Sequence, residues 1–247
     1  MHIPDGYLGP STYGAFWAAM ACAWYVAARR VKKTLRAAQV PLLALGAALS
    51  FVVMMFNIPV AGGTTGHATG TTLLAITLGP WAAVIAVSIA VAVQAVLFGD
   101  GGITTLGANC FNMAFADAIV SYAVYRLIAG KGPGPSGPYN PPGPSGPYNP
   151  AVRHHPDKRT IAASAVAAYA GLNSAALLAA VELGLQTVFY KGADGRPLYC
   201  PFPLNVTVPA IMASHLAVFG PVEAAFTALA VAYLGRAYPE LLRETRS

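Results

Sequence analysis

The chain has 247 residues, 56% of them hydrophobic and only 10% charged, with a mean hydropathy of +0.55. A soluble globular domain carries about 25% charged residues, so this composition indicates an integral membrane protein. The net charge of +6 is then assigned to topogenic lysine and arginine in cytoplasmic loops, which removes the case for nucleic acid, and the three cysteines, Cys22, Cys110 and Cys200, are too few for a disulfide scaffold and read as packing residues.

In chain order, the opening MHIPDGYLGP has neither the basic region nor the cleavage site of a signal peptide, so Met1 is expected to persist as the amino terminus. The large second residue also disfavours removal of the methionine. Seven apolar stretches follow at 12–28, 39–60, 65–79, 80–98, 109–129, 160–189 and 205–235, each taken as a transmembrane helix against the usual requirement of about 20 residues. The division between the third and fourth rests on Gly79 and Pro80, since proline cannot continue the preceding hydrogen-bond ladder. In the first stretch Ala15, Ala19, Ala23 and Ala27 recur every four residues, a spacing that lets another helix approach closely.

Basic residues set the expected orientation. Arg29, Arg30, Lys32, Lys33 and Arg36 follow the first stretch; Arg126 and Lys131 end the fifth; Arg153, Lys158 and Arg159 precede the sixth; Arg236, Arg243 and Arg246 follow the seventh. With seven spans all of these fall on one face, leaving Lys191 and Arg196 opposite, so the amino terminus is expected outside and the carboxy terminus in the cytoplasm. The fold class expected is an all-α membrane bundle forming one domain over residues 1–247. A Pro/Gly-rich cytoplasmic linker at 132–152 contains the octapeptide GPSGPYNP twice, at 134–141 and 143–150.

The outer side would then carry residues 1–11, the glycine- and threonine-rich AGGTTGHATGTT and the loop FGDGGITTLGANCFNM. Irregular backbone at membrane depth survives only where it is buried in protein or lines a cavity. A histidine at position 2 is either a coincidence of the chain start or part of a chelate. The Met1 amine, the His2 amide nitrogen and His2 Nδ1 can close a five- and a six-membered ring around one metal ion in a nearly planar arrangement, which suits Ni(II) and Cu(II). Of the remaining histidines, His154 and His155 belong to the basic side and His215 lies about ten residues into the last stretch. His67 shares the outer segment and is the natural fourth ligand, its other reading being a polar cap beside Thr64 and Thr65. Asn109 and Asn112 are candidates for groups that support the ligands. Asp117, Glu182, Glu223 and His215 read as polar contacts between helices.

MHIPDG, with GHATGTTLLAITLGPWAAV and LFGDGGITTLGANCFNMA, resembles the nickel and cobalt substrate-binding membrane components of energy-coupling-factor transporters, the NikM/CbiM family. The resemblance covers most of the chain. It implies Ni(II) as transported substrate, or Co(II) as the nearest alternative, held by Met1, His2 and His67. It also implies a transmembrane coupling subunit docking on the alanine face of the first helix, two separate ATPases and a small auxiliary membrane subunit. The residues agree that the chain has no engine of its own, for no G-x-x-x-x-G-K-[ST] loop occurs. An intramembrane metalloenzyme is disfavoured by the lack of H-E-x-x-H. A self-sufficient passive channel or carrier is the remaining alternative.

Overall fold

The structure, a computed structural model, describes residues 1–35, 39–130 and 156–238. The expected linker 132–152 lies outside the described residues, as do Arg36, Lys131, Arg153, His154, His155, Arg243 and Arg246.

Seven helices are present among the described residues: α1 (Pro10–Thr34), α2 (Val40–Met54), α3 (Thr71–Leu78), α4 (Pro80–Phe98), α5 (Leu106–Ala129), α6 (Lys158–Phe189) and α7 (Leu204–Ala237). Of these, α4, α6 and α7 are long and apolar enough to cross a membrane. Three helices contain a π-helical stretch: Gln94–Phe98 in α4, Phe111–Ala116 in α5 and His215–Phe219 in α7. Such a turn holds an extra residue and shifts the helix face on which later side chains emerge. In α7 the stretch ends two residues before Pro221, which has no N–H to donate to the helix ladder.

Packing centres on α6, which contacts α5 and α7 and also α3. Its buried face is built from small residues, Ala163, Ala167, Gly171, Ala175 and Ala179 in one row and Ser164, Ala168, Ala176 and Ala180 in the next. Where all lipid is apolar, helices gain by approaching closely rather than by escaping water. The approach at Gly171 is tight: a Cβ there would lie 2.3 Å from Asp117 Oδ1.

The expected third span, 65–79, is not one helix. A two-stranded antiparallel hairpin pairs β1 (Ile58–Val60) with β2 (Thr64–Gly66), residues 67–70 are irregular, and α3 has only 8 residues, about 12 Å at 1.5 Å per residue. Gly79, at φ +89°, then turns the chain into α4. The irregular stretch is enclosed by protein, since all of Gly66–Gly70 is buried. That is the condition under which such backbone persists among apolar helices.

The alanine row of α1 is unequally exposed. Ala15 and Ala19 are exposed, Ala23 is half-buried against the core and Ala27 is buried. A four-residue spacing overshoots the 3.6-residue turn by about 40° each time, so over three steps the row turns from the surface into the bundle.

Basic side chains collect at one end. Arg30 stacks on Trp81 at 5.8 Å, and Arg159 Nε donates to the Ile128 carbonyl at 2.6 Å. The amino-terminal segment lies at the other end, with Tyr190, Cys200 and Asp100.

Candidate metal centre

Residues 1–9 enter the bundle without regular secondary structure, so side chains must replace a strand or helix partner for their backbone groups. Asn109 does this for Ile3, its Oδ1 accepting the Ile3 N–H at 2.8 Å and its Nδ2 donating to the Ile3 carbonyl at 3.0 Å. The same carbonyl accepts Thr105 Oγ1 at 2.6 Å and the Gly102 N–H at 3.0 Å. Thr64 Oγ1 donates to the His2 carbonyl at 2.8 Å. The Asp5 carboxylate accepts the N–H groups of Ile103 and Thr104 and the Thr104 hydroxyl, and these bonds hold it below the usual carboxylate range against an opposing burial effect. Further along, Gly9 N–H donates to Gln186 Oε1 at 2.9 Å. Apolar anchoring completes the clamp: Met1, Ile3 and Leu8 are at most 1% exposed, each burial being worth about 1.5–3 kcal/mol.

Glycines allow these contacts. A Cβ on Gly101, which sits at φ +86°, would lie 3.1 Å from His2 Cδ2 and 3.0 Å from Asn109 Nδ2. One on Gly66 would lie 1.9 Å from the Phe219 ring, so the strand bearing the site can seat against α7 only as glycine.

Inside this clamp the nitrogens converge. The Met1 amine donates to the Thr65 carbonyl and lies 3.0 Å from His67 Nε2. The His2 and His67 rings stack with centroids 4.7 Å apart at 27°. Each ring is wired through its other nitrogen: His67 Nδ1–H donates to the Ala68 carbonyl at 3.0 Å, and His2 Nε2–H donates to Gln94 Oε1 at 3.2 Å. That wiring leaves lone pairs on His67 Nε2 and His2 Nδ1, and the second nitrogen of a ligating histidine is commonly fixed in just this manner. His2 Nδ1 lies 3.4 Å from Asp100 Oδ1, within ionic range but without hydrogen-bond geometry, so it is a buried nitrogen with no hydrogen-bond partner.

Burial also removes protons. It pushes the Met1 amine down to about 4, with Asp100 opposing. It pushes His2 down to about 3, helped by the neighbouring amine and opposed by the bond to Gln94. A neutral amine and two neutral imidazoles are what metal coordination requires. Among the described residues no three His, Cys, Asp or Glu side chains form a metal cage; the nitrogens gathered here belong to two histidines and the main chain.

Met1, His2 and His67 are thus brought together, with Asn109 behind them. Asn112 is not part of this group: its Nδ2 donates to Glu182 Oε2 at 3.0 Å, a contact between α5 and α6. Asp117 accepts from Thr69 Oγ1 at 3.0 Å, and Glu223 accepts the N–H groups of Thr69 at 2.7 Å and Gly70 at 3.0 Å. The two carboxylates therefore hold the loop that carries His67. His215 Nδ1 donates to its own helix at the Ile211 carbonyl, 2.8 Å away. Sequence reasoning missed Gln94, Asp100, Asn57 and the Thr64–Thr65 pair. Gln94, the one polar side chain other than Ser88 in an apolar run from Trp81 to Phe98, was the signal available.

The chain is 48% identical over 247 residues to the fused nickel transport protein NikMN of Rhodobacter capsulatus, covering all of this chain and 65% of that protein. It thus spans a little under two thirds of that relative. It is 39% identical over 132 residues to the cobalt transport protein CbiM of Acetohalobium arabaticum, covering 52% of each. A crystal structure of a truncated transition metal transporter superposes with a TM-score of 0.82 at 46% identity, covering 95% of this chain and 98% of that one. Residues 2–241 match the CbiM family, described as the cobalt uptake substrate-specific transmembrane region, and the chain belongs to that family.

Proposed function

We propose that this chain captures Ni(II), with Co(II) as the nearest alternative, for import by an energy-coupling-factor transporter. The ligands are the Met1 amine, the His2 amide nitrogen, His2 Nδ1 and His67 Nε2. The observation that carries this reading is the placement of two imidazole lone pairs and a neutral amine in one buried cluster, with the opposite ring nitrogens engaged by Gln94 and Ala68. Two nitrogens bound at right angles to one ion, at about 2.0–2.1 Å each, lie about 2.9 Å apart. The amine and His67 Nε2 are 3.0 Å apart, matching one edge of a square. Closing the chelate releases the His2 amide proton and replaces the amine–His67 contact with two metal bonds. Four nitrogens near one plane suit Ni(II), and relatives are named for nickel and for cobalt transport.

The seven segments, with β2, residues 67–70 and α3 together forming the third, cross the membrane with the site outside and the basic end in the cytoplasm. Import is driven by a coupling subunit, two ATPases and a small auxiliary membrane subunit. The exposed Ala15–Ala19 part of α1 is the docking face for the coupling subunit.

The test is a single glycine added before Met1. It alters no existing side chain but converts the amine into an amide, so Ni(II) affinity should fall at least a thousandfold while a carboxy-terminal tag has no effect. Unchanged affinity and absorbance spectrum in the extended chain, measured by anaerobic titration, would sink the chelate.

A further inference from the structure

Resting on the chelate reading, we infer that Asp100, together with the unpartnered Nδ1 of His2, forms an outer subsite that takes a hydrated divalent cation before the four nitrogens do. The chelating residues are closed off, with Met1 and His67 0% and His2 2% exposed. An ion arriving as an aquo complex must meet something else first. The Asp100 side chain is 18% exposed and its Oδ1 stands 3.4 Å from His2 Nδ1, so it touches both solvent and the first buried ligand nitrogen.

The other carboxylates at this end of the described molecule are engaged. Asp5 is held by Ile103 and Thr104, and Asp194 faces Arg196 at 3.6 Å. Asp100 Oδ2 accepts from Asn57 Nδ2 at 2.6 Å, which steadies the group and leaves Oδ1 turned towards the histidine. Two lone-pair atoms 3.4 Å apart with no hydrogen between them can be bridged by one cation, since two bonds of about 2.1 Å reach across that gap. Gly99 and Gly101, at φ +67° and +86°, flank Asp100 in the α4–α5 loop, from which its Oδ1 reaches His2 Nδ1.

The step is a ligand exchange. A water on the incoming ion leaves for Asp100 Oδ1, a second leaves for His2 Nδ1, and the carboxylate oxygen and the remaining waters are finally displaced as the amine, the His2 amide nitrogen, whose proton passes to solvent water, and His67 complete the set. No electron moves. The carboxylate concentrates cations at the mouth, so its effect belongs to the association rate, as for rim charges in general.

The experiment is stopped-flow mixing of the full chain in nanodiscs with NiCl2, followed at the absorbance of nitrogen-coordinated Ni(II), with dissociation into a chelator measured separately. Asp100→Asn keeps the shape and the Asn57 contact but removes the charge. Association should slow about tenfold, dissociation should change less than about threefold, and the final spectrum should be that of the wild type. Wild-type association should also fall severalfold as salt rises from about 20 to about 200 mM, a measurement that needs no variant. An unchanged association rate, a salt-independent wild-type rate, or a loss expressed in dissociation or in an altered spectrum would overturn the subsite. A wild-type chain with no nitrogen-ligand band would remove the chelate itself, a failure distinct from any of these.

Discussion

His67 and His215 are both fully buried, and each donates its Nδ1–H to a backbone carbonyl, so each is left with a lone pair on Nε2. They differ in the backbone that carries them. His67 stands on irregular chain between β2 and α3, where its carbonyl partner is the next residue and Nε2 meets the Met1 amine at 3.0 Å. His215 opens the π-helical stretch of α7, bonds to its own helix four residues back, packs on Phe219 with ring centroids 5.1 Å apart, and has no partner for Nε2. A helix fixes the direction of its side chains by its own repeat, whereas the irregular segment places a ring where a second irregular segment, residues 1–9, can reach it. The nitrogen cluster therefore belongs to the loops, and the bundle's polar groups serve as their anchors.

Exchanging one histidine at a time gives the largest contrast. His67→Ala removes the proposed fourth ligand and should weaken Ni(II) binding at least a hundredfold in an equilibrium titration. His215→Ala should change it less than about fivefold, because the lost bond lies within α7. Comparable losses from the two variants would place the ion deeper, between the hairpin and α7.

Asparagine provides a second matched pair, with a smaller effect. Asn109→Ala leaves both backbone groups of Ile3 without their carboxamide partner and should lower Ni(II) affinity about tenfold to a hundredfold, the range typical for groups that support metal ligands. Asn112→Ala should leave affinity within about threefold. Its cost should fall instead on thermal stability, because Glu182 would lose its partner in the bundle. Reversed results would mean that the α5–α6 contact at Asn112, rather than Asn109 at the start of α5, positions the amino terminus.

These pairs also show what could be read from the chain. The meeting of Met1, His2 and His67 was legible because chelate-ring chemistry links the first two and a glycine-rich segment isolates the third. Asn109 was legible as a polar group at the start of an apolar run. Asn112 was misplaced beside it because positions three apart share a face in a regular α-helix. The π-helical turn from Phe111 departs from that geometry, and Asn112 meets Glu182. Gln94 begins a π-helical stretch of its own, so no helical period could aim it at His2. The third span, 65–79, is not one helix for a related reason: hydropathy counts apolar residues, but the run takes in the end of a hairpin, an irregular loop ending at Gly70 with positive φ, and two turns of helix. Asp100 and Asn57 lie in connections whose relative placement only the fold determines.

The smallest expected effect concerns protons and separates the buried amine from the same residues in a free peptide. An α-amine ordinarily titrates near 7.7–8.0, and here burial lowers it to about 4. Between those values the undocked segment holds more protons than the docked one. The docked state is therefore favoured fully above about pH 8 and loses that advantage as pH falls towards 4. At pH 7 the docked amine and the His2 ring, itself lowered to about 3, are already neutral, so metal binding should expel only the amide proton. Calorimetry in buffers of different ionisation enthalpy should give about one proton released per Ni(II) bound to the protein. A Met-His-Ile peptide, its amine mostly protonated at this pH, should release about two. If the protein also released two, its amine would be charged before the metal arrives, and the preorganised neutral cluster that separates His67 from His215 would be lost.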